Sequence, residues 1–530
     1  MNAAHVTWDY IIIGAGSAGC AAAHEIATRS PGAKILIVEA GPADRSPFIR
    51  VPAGQIYAVR RHDWGYRTAP DASRDGVEEL WPRGKVLGGS SSINGTMYVR
   101  GAPADFDRWA DGLGTAGASW RSDRIMAMFD DLEAGKGAGG RLHVRPVRYP
   151  HPVTRAFVEA AQAIGAPFNS DYNDGDQEGA GYAQMTQRCG LRWSAADAFL
   201  RPLRSNGNVE IMTSATVDRI LIEDGAAIGI RYRRGEGPRE ARGRNIVLSA
   251  GAIASPQLLM LSGIGDPDHL GAHGIPVVVS RKEVGRNLRE HPLVRLTYRM
   301  RTPTYSLTEG WLHMLGIGLR YLAGREGPLS NIFEATAFLR SSSAMPDPDI
   351  QLHLMPIGYV KGPDGLYGFA PYRSVTVLLN ISHPASSGSV RLAAADVETP
   401  PVIECALLSE RRDVDTLIDG VSVVRDIMST HPIADLVEEE AVPGARVQGR
   451  AEIEAFLRGH TGVAFHPAGT CRMGIDAHAV VDPALNVRGV RNLWIADASI
   501  MPDLVSGNTN AVCMMIGAKL GRELATQSPC

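Results

Sequence analysis

At 530 residues the chain is longer than one hydrophobic core usually supports, so two or more domains are expected, with room for a deeply buried site. An apolar fraction of 44%, a charged fraction of 21% and a formal charge of −3 describe an ordinary globular protein without the basic excess that would attract nucleic acid. The six cysteines, Cys20, Cys189, Cys405, Cys471, Cys513 and Cys530, have no CxxC or His-rich spacing, so no metal and no disulfide framework is expected and a reducing, cytoplasmic setting fits.

The short apolar run 11–13 has no Lys or Arg before it and reads as a buried strand rather than a signal-peptide core. No apolar stretch approaches the ~20 residues of a membrane span. Residues 9–14 form the strand, and Gly14-Ala15-Gly16-Ser17-Ala18-Gly19 opens an Ala-rich helix. A second strand, 34–39, follows and ends on Glu39-Ala40. In such a βαβ unit Gly14 makes the tight turn, Gly16 lets the backbone approach a pyrophosphate, and Gly19 permits close helix–strand packing. Glu39 stands where a carboxylate accepts hydrogen bonds from ribose hydroxyls. The unit predicts dinucleotide binding without separating NAD from FAD.

Residues 83–101 are too rich in Gly and Ser for a regular element, and such a loop offers a planar ligand many backbone N–H groups. The interleaved Val86, Leu87, Ile93, Met97 and Val99 argue against a simply solvated loop. Farther on, 245–251 reads as a strand. A helix follows, with Pro256 in its first turn and a stop at Gly263. Between roughly 301 and 465 the pattern changes: the alternating 374–381 and the turn Ser386-Ser387-Gly388 predict antiparallel strands, taken as the substrate domain. Near the C-terminus 492–497 reads as a strand ending in Asp497, and 511–519 as a buried helix behind Asn508, Thr509 and Asn510, good N-cap types.

Together these segments resemble the glucose-methanol-choline family of flavoprotein oxidoreductases. The resemblance spans essentially the whole chain and rests on the glycine fingerprint, the 83–101 loop, the 251–265 segment, Val284-Gly285-Arg286-Asn287-Leu288 and the stretch Phe465-His466-Pro467-Ala468-Gly469-Thr470-Cys471-Arg472-Met473-Gly474. It looks closest to bacterial sorbose, choline and other alcohol dehydrogenases and to aryl or furfuryl alcohol oxidases. The implied fold is α/β: a Rossmann-like FAD-binding domain from residues 1–150, 191–295 and 466–530, and a substrate domain with an antiparallel sheet and helices from 151–190 and 296–465. The implied cofactor is FAD, held by Gly14, Gly16, Ser17, Ala18, Gly19, Glu39 and Ala40, by Gly88, Gly89, Ser90, Asn94, Gly95 and Met97, by Val217 at the adenine, by Ala250 and Gly251, and by Asp497, Ala498, Asn508 and Thr509. Some members attach FAD through a histidine in the glycine-serine loop. Ile93 stands at that position here, which implies non-covalent binding.

The resemblance makes His466 the active-site histidine and puts its partner 44 positions later, on Asn510. An imidazole titrating near neutrality suits the removal of a hydroxyl proton while the carbon faces the flavin. An amide N–H can hold the developing alkoxide. For the substrate, Glu334 could bind a cation, although an ion-paired structural acid is the commoner role, and Phe333, Met355, Tyr359 and Phe465 could line an apolar pocket. The expected partners are a small-molecule alcohol and an acceptor, a quinone or dye rather than oxygen. Alternatives are an oxygen-using oxidase, a hydroxynitrile-lyase-like flavoprotein that performs no net redox reaction, and a non-catalytic flavin-binding module.

Overall fold

The structure is a computed structural model that describes residues 7–137, 139–235, 237–306, 310–324, 327–361 and 367–527. Cys530 lies outside them. The run of β-branched residues in Thr7–Ile13 forms the strand expected of a segment buried on both faces, and it pairs in parallel with Ile35–Val38 on one side and Pro238–Leu248 on the other. Val209–Met212 and Leu493–Ile495 extend this parallel layer, and Ala226–Arg233 with Thr216–Glu223 adds an antiparallel edge, giving a seven-stranded sheet. Strand Pro238–Leu248 is longer than the expected 245–251 because its first half pairs antiparallel with Ala226–Arg233.

The first helix, Ser17–Arg29, and the last, Asn510–Gln527, pack against each other over this sheet. Small residues allow the close approach: a Cβ on Gly517 would fall 2.0 Å from the carbonyl oxygen of Ala18. The helix after the third glycine segment is Gly251–Leu261, so Pro256 sits in its second turn and not its first. Proline has no N–H to give Ala252, and the Thr470 hydroxyl donates to that carbonyl instead at 2.6 Å. The interior proline is tolerated because another segment supplies the missing donor.

A second seven-stranded sheet is antiparallel, with Val437–Val442, Pro292–Met300, Ser374–Ile381, Ile350–Met355, Ala335–Leu339 and Gly179–Tyr182 in spatial order and Gly462–Val463 pairing Pro292–Met300. Strand Ser374–Ile381 is buried along its whole length. Leu379 joins a core with the helices Arg411–Met428 and Pro152–Ala163, while Leu378 faces a large cavity. Alternation there separates helical core from cavity rather than core from water. The architecture is the expected one: a Rossmann-like α/β layer and an antiparallel sheet with helices. No described helix is long and apolar enough to cross a membrane, and the five described cysteines are free.

Candidate active site

The cavity has a volume of 1280 Å³, above the roughly 300–1,000 Å³ typical of drug-sized ligand sites. It runs from the glycine turn, past the 83–101 loop, to the face of the second sheet. At its dinucleotide end Gly14 adopts φ +95, and a Cβ there would lie 2.5 Å from the Ser249 carbonyl oxygen. A Cβ on Gly16 would meet nothing within 4 Å, so its backbone is bare to the cavity. Gly89 closes against it, at 2.7 Å from the Gly16 Cα to a Cβ built on Gly89. The Glu39 carboxylate accepts from the N–H groups of Ala15 at 2.9 Å and Gly41 at 2.8 Å, and burial pushes it up to about 7. Ser17, Ala18, Ala40, Ser90, Asn94, Gly95, Met97, Val217, Ala250, Gly251, Asp497, Ala498, Asn508 and Thr509 also line the cavity.

Gly19 and Gly88 do not line it. A Cβ on Gly19 would strike the Gly14 carbonyl oxygen at 2.0 Å, and Gly88, at φ +90, donates its N–H to Ala15; both shape the turn by packing instead of touching a ligand. The Asp497 carboxylate is engaged by Gly251 N–H at 2.9 Å, the Ser255 hydroxyl at 2.6 Å and Ser499 N–H at 2.8 Å, which ties the last strand to the helix Gly251–Leu261. Ser249 Oγ, Gln55 Oε1 and Asn508 Oδ1 are buried polar atoms of cavity-lining residues with no protein partner. Bare glycine backbone, a ribose-positioned carboxylate and these orphan atoms fit a dinucleotide carrying a polar ring system.

At the other end stands His466, buried, on a turn where Phe465 has φ +68. Its backbone N–H is gripped by both Glu290 oxygens at 2.9 and 2.8 Å, and Glu290 also accepts from His291 N–H at 2.8 Å. Burial pushes the Glu290 carboxyl up to about 8. His466 Nδ1 lies 2.9 Å from His291 Nδ1, and His291 Nε2 lies 3.1 and 3.0 Å from the carbonyl oxygens of Ser382 and Val505. Carbonyl oxygens only accept, so Nε2 of His291 carries its hydrogen. Burial holds His291 at about 3, hence neutral, and its Nδ1 is a lone pair. The facing Nδ1 of His466 therefore bears the hydrogen, and its Nε2 is left unprotonated. Burial, then the neighbouring His291, His353 and Arg83, holds His466 well below the ordinary histidine range.

That Nε2 lone pair accepts from the amide of Asn508, with Nδ2 at 3.0 Å, a bond the alcohol oxygen would replace. Asn510, the expected partner, also lines the cavity, but its Oδ1 accepts from the Ser17 hydroxyl at 2.6 Å and locks the first helix to the last. The helix begins at Asn510, so its side chain follows the helical phase toward Ser17, whereas Asn508 sits in the preceding turn after Gly507 at φ +87. Glu334 also departs from expectation. Its buried carboxylate does not line the cavity and accepts from His151 N–H and the Thr154 hydroxyl at 2.7 Å each and from the Tyr305 hydroxyl at 2.9 Å. It is a structural acid, held by neutral donors rather than an ion pair. Met355, Tyr359, Phe333 and Phe465 line the cavity as expected.

Glu290, His291, His353 and Arg83 are neighbours of the site to which the sequence reading gave no role. The Glu290-His291-Pro292 triplet offered one signal, since it repeats the His-Pro dipeptide of His466-Pro467. Among the described residues Glu290, His291 and His466 bring ligand-type atoms within 4.8 Å of one another. Those atoms are already spent on backbone N–H groups and on the bond between the two imidazoles, the arrangement of a proton-holding network.

A Rossmann-like dinucleotide site joined to a buried histidine is the arrangement of a dinucleotide-dependent oxidoreductase. Residues 8–293 match the N-terminal and 384–517 the C-terminal sequence profile of GMC oxidoreductase, and the chain belongs to that family. It is an FAD-dependent enzyme acting on the CH–OH group of donors. It is 37% identical over 528 residues to the alcohol dehydrogenase [acceptor] of Pseudomonas putida, covering 96% of this chain and 94% of that protein. It is 39% identical over 541 residues to the oxygen-dependent choline dehydrogenase of Rhizobium johnstonii, covering 98% and 96%. The crystal structure of pyridoxine 4-oxidase from Mesorbium loti superimposes with a TM-score of 0.89 at 31% identity, over 99% of this chain and 100% of that one.

Proposed function

We propose that His466 is the base that takes the hydroxyl proton of the alcohol, on its Nε2, and that Asn508 holds the same oxygen. The observation that carries this reading is the fixed tautomer of His466, imposed by the two carbonyl oxygens behind His291. As the O–H proton moves to Nε2 the carbon–oxygen double bond forms and the C–H bond breaks; bound FAD supplies the acceptor for that hydride pair. The positive charge then arriving on His466 is stabilised by its Nδ1–H bond to the neutral His291, whose own N–H stays on Ser382 and Val505. The Arg83 guanidinium, 2.7 Å from the Phe465 carbonyl oxygen, adds fixed positive charge beside the reacting region.

FAD is held without a covalent bond on this reading, since Ile93 is a hydrocarbon side chain packed with Ile49, Ala58 and Val86. The acceptor is a quinone or dye, and the free cysteines are consistent with a reducing, cytoplasmic setting. The test is anaerobic mixing with primary alcohols, following flavin absorbance. Wild-type enzyme bleaches, and His466→Ala retains FAD but bleaches more slowly by ~10²-fold or more, the range for loss of a general base. Near wild-type bleaching in His466→Ala would remove His466 from the mechanism. Acid precipitation should release all yellow colour to the supernatant.

A further inference from the structure

The wall facing His466 carries information about the substrate. Leu293, Met355, Leu378 and Ala464 form one buried cluster, with Phe333 and Ile357 packed on it, and all six line the cavity. Phe333 stands against the glycine-rich loop: a Cβ on Gly95 would come 2.5 Å from its ring. The polar group among them is His353, 5.8 Å between ring centroids from Phe333. Burial holds His353 at about 4, so it is neutral at physiological pH, and its Nδ1 has no protein partner.

Among the described residues, carboxylates are absent from this cluster. Of those lining the cavity, Glu39 and Asp497 belong to the dinucleotide end, and Glu79 is paired with Arg74 at 3.2 Å. Glu78 also lines the cavity but does not belong to the apolar cluster. Glu334 is sealed behind its three donors. Glu290, which grips the His466 backbone N–H, does not line the cavity, whereas the Arg83 guanidinium does and repels a second cation there.

A quaternary ammonium placed in this wall would lose its hydration with no anion of the described residues in the cluster to replace it. A hydrocarbon body would instead bury against Leu, Met and Phe, with its hydroxyl left to His466 and Asn508. We infer that the substrate is an uncharged alcohol with an aliphatic or aromatic hydrocarbon body, and that cationic amino alcohols are excluded. This rests on the reading of His466 as an alcohol-oxidising site.

The test uses the FAD-loaded enzyme and anaerobic stopped-flow bleaching with 1-octanol, benzyl alcohol and choline. At least one of the first two should give a second-order constant ~10²-fold or more above that of choline. Choline matching or exceeding both would overturn the substrate class while leaving alcohol oxidation intact. Bleaching by dithionite but by none of the three would overturn both. A charge-specific comparison is independent of folding effects common to polar substitutions: Met355→Glu should lower the constant for the better neutral alcohol ~10-fold further than Met355→Gln does and should raise that for choline. Identical behaviour of the two variants would overturn the electrostatic argument.

Discussion

The hydrogen on His466 Nδ1 is placed by groups that never touch the alcohol. His291 accepts it only because Ser382 and Val505 hold the His291 hydrogen on the opposite nitrogen. His291→Leu should therefore leave FAD bound yet slow flavin reduction by about 10–100-fold, the scale for losing a residue that orients a reacting group. His291→Asn should recover part of the rate, since its amide oxygen can accept from Nδ1. If Leu and Asn variants react alike, His291 fills space and nothing more. The pH profile follows from the same burial. His466 is depressed below 6.5, so it stays unprotonated as pH falls past neutrality, and its own protonation should slow flavin reduction only below pH 6.5, apart from any step near 8 where Glu290 titrates. Any other acid limb centred at or above 6.5 would contradict this. Asn508→Ala should slow flavin reduction more than Asn510→Ala does, because Asn508 meets the reacting nitrogen and Asn510 meets Ser17. Single-turnover reduction of the two variants distinguishes them.

Among the elements, the pairing of first and last helices brings the ends of the chain onto one cofactor. Ser17 and Asn510 join their N-termini, and Gly517 and Gly521 pack on Ala18 and Ala22 lower down. The last helix thus presents its N-terminal turn, with Asn508 and Thr509, to the cavity that the first helix also lines. A partial positive charge at both N-termini favours an anionic phosphate or reduced ring between them. Gly517→Ala pushes a methyl into the Ala18 backbone and should cost about 1–3 kcal/mol, the usual penalty of overpacking. FAD release in a thermal melt should move to lower temperature. Gly112→Ala, which meets nothing within 4 Å, is the matched control and should leave the melt unchanged. Equal melts for the two variants would mean that the helix pair does not set cofactor retention.

For the whole molecule, the cavity lies where the parallel sheet's glycine turn faces the antiparallel sheet, so alcohol and acceptor approach the same reacting region. Phe465, held at φ +68 beside His466 and 39% exposed, stands over that approach. On the proposed quinone or dye reading, Phe465 shields the reacting region from oxygen, and the quinone receives the electron pair at the rim of the cavity. Alcohol-reduced enzyme should accordingly be reoxidised faster by an artificial quinone than by air-saturated buffer, and Phe465→Ala should narrow the difference. Stopped-flow reoxidation in which oxygen is as fast as the quinone would make the enzyme an oxidase.

His466 is singled out by the resemblance its motif carries; local pattern alone determined the βαβ unit, the loop that follows it and the change to antiparallel strands. Each of these depends on short runs of residues whose backbone preferences and periodicity act within a few turns. The partners of His466 belong to another scale. His291 lies 175 positions away in sequence, and only the pairing of Pro292–Met300 with Gly462–Val463 brings the two imidazoles together. Asn508 and Asn510 are chemically alike and two residues apart, so spacing could not choose between them; the start of the helix turned one to the base and the other to Ser17. Glu334 carried a plausible charge in sequence, but strand phase aimed it at His151, Thr154 and Tyr305 and away from the cavity. Side-chain direction at a site assembled from distant strands is decided by tertiary packing, because neighbouring residues of a strand or turn point to opposite sides and only the packed sheet defines which side holds the substrate.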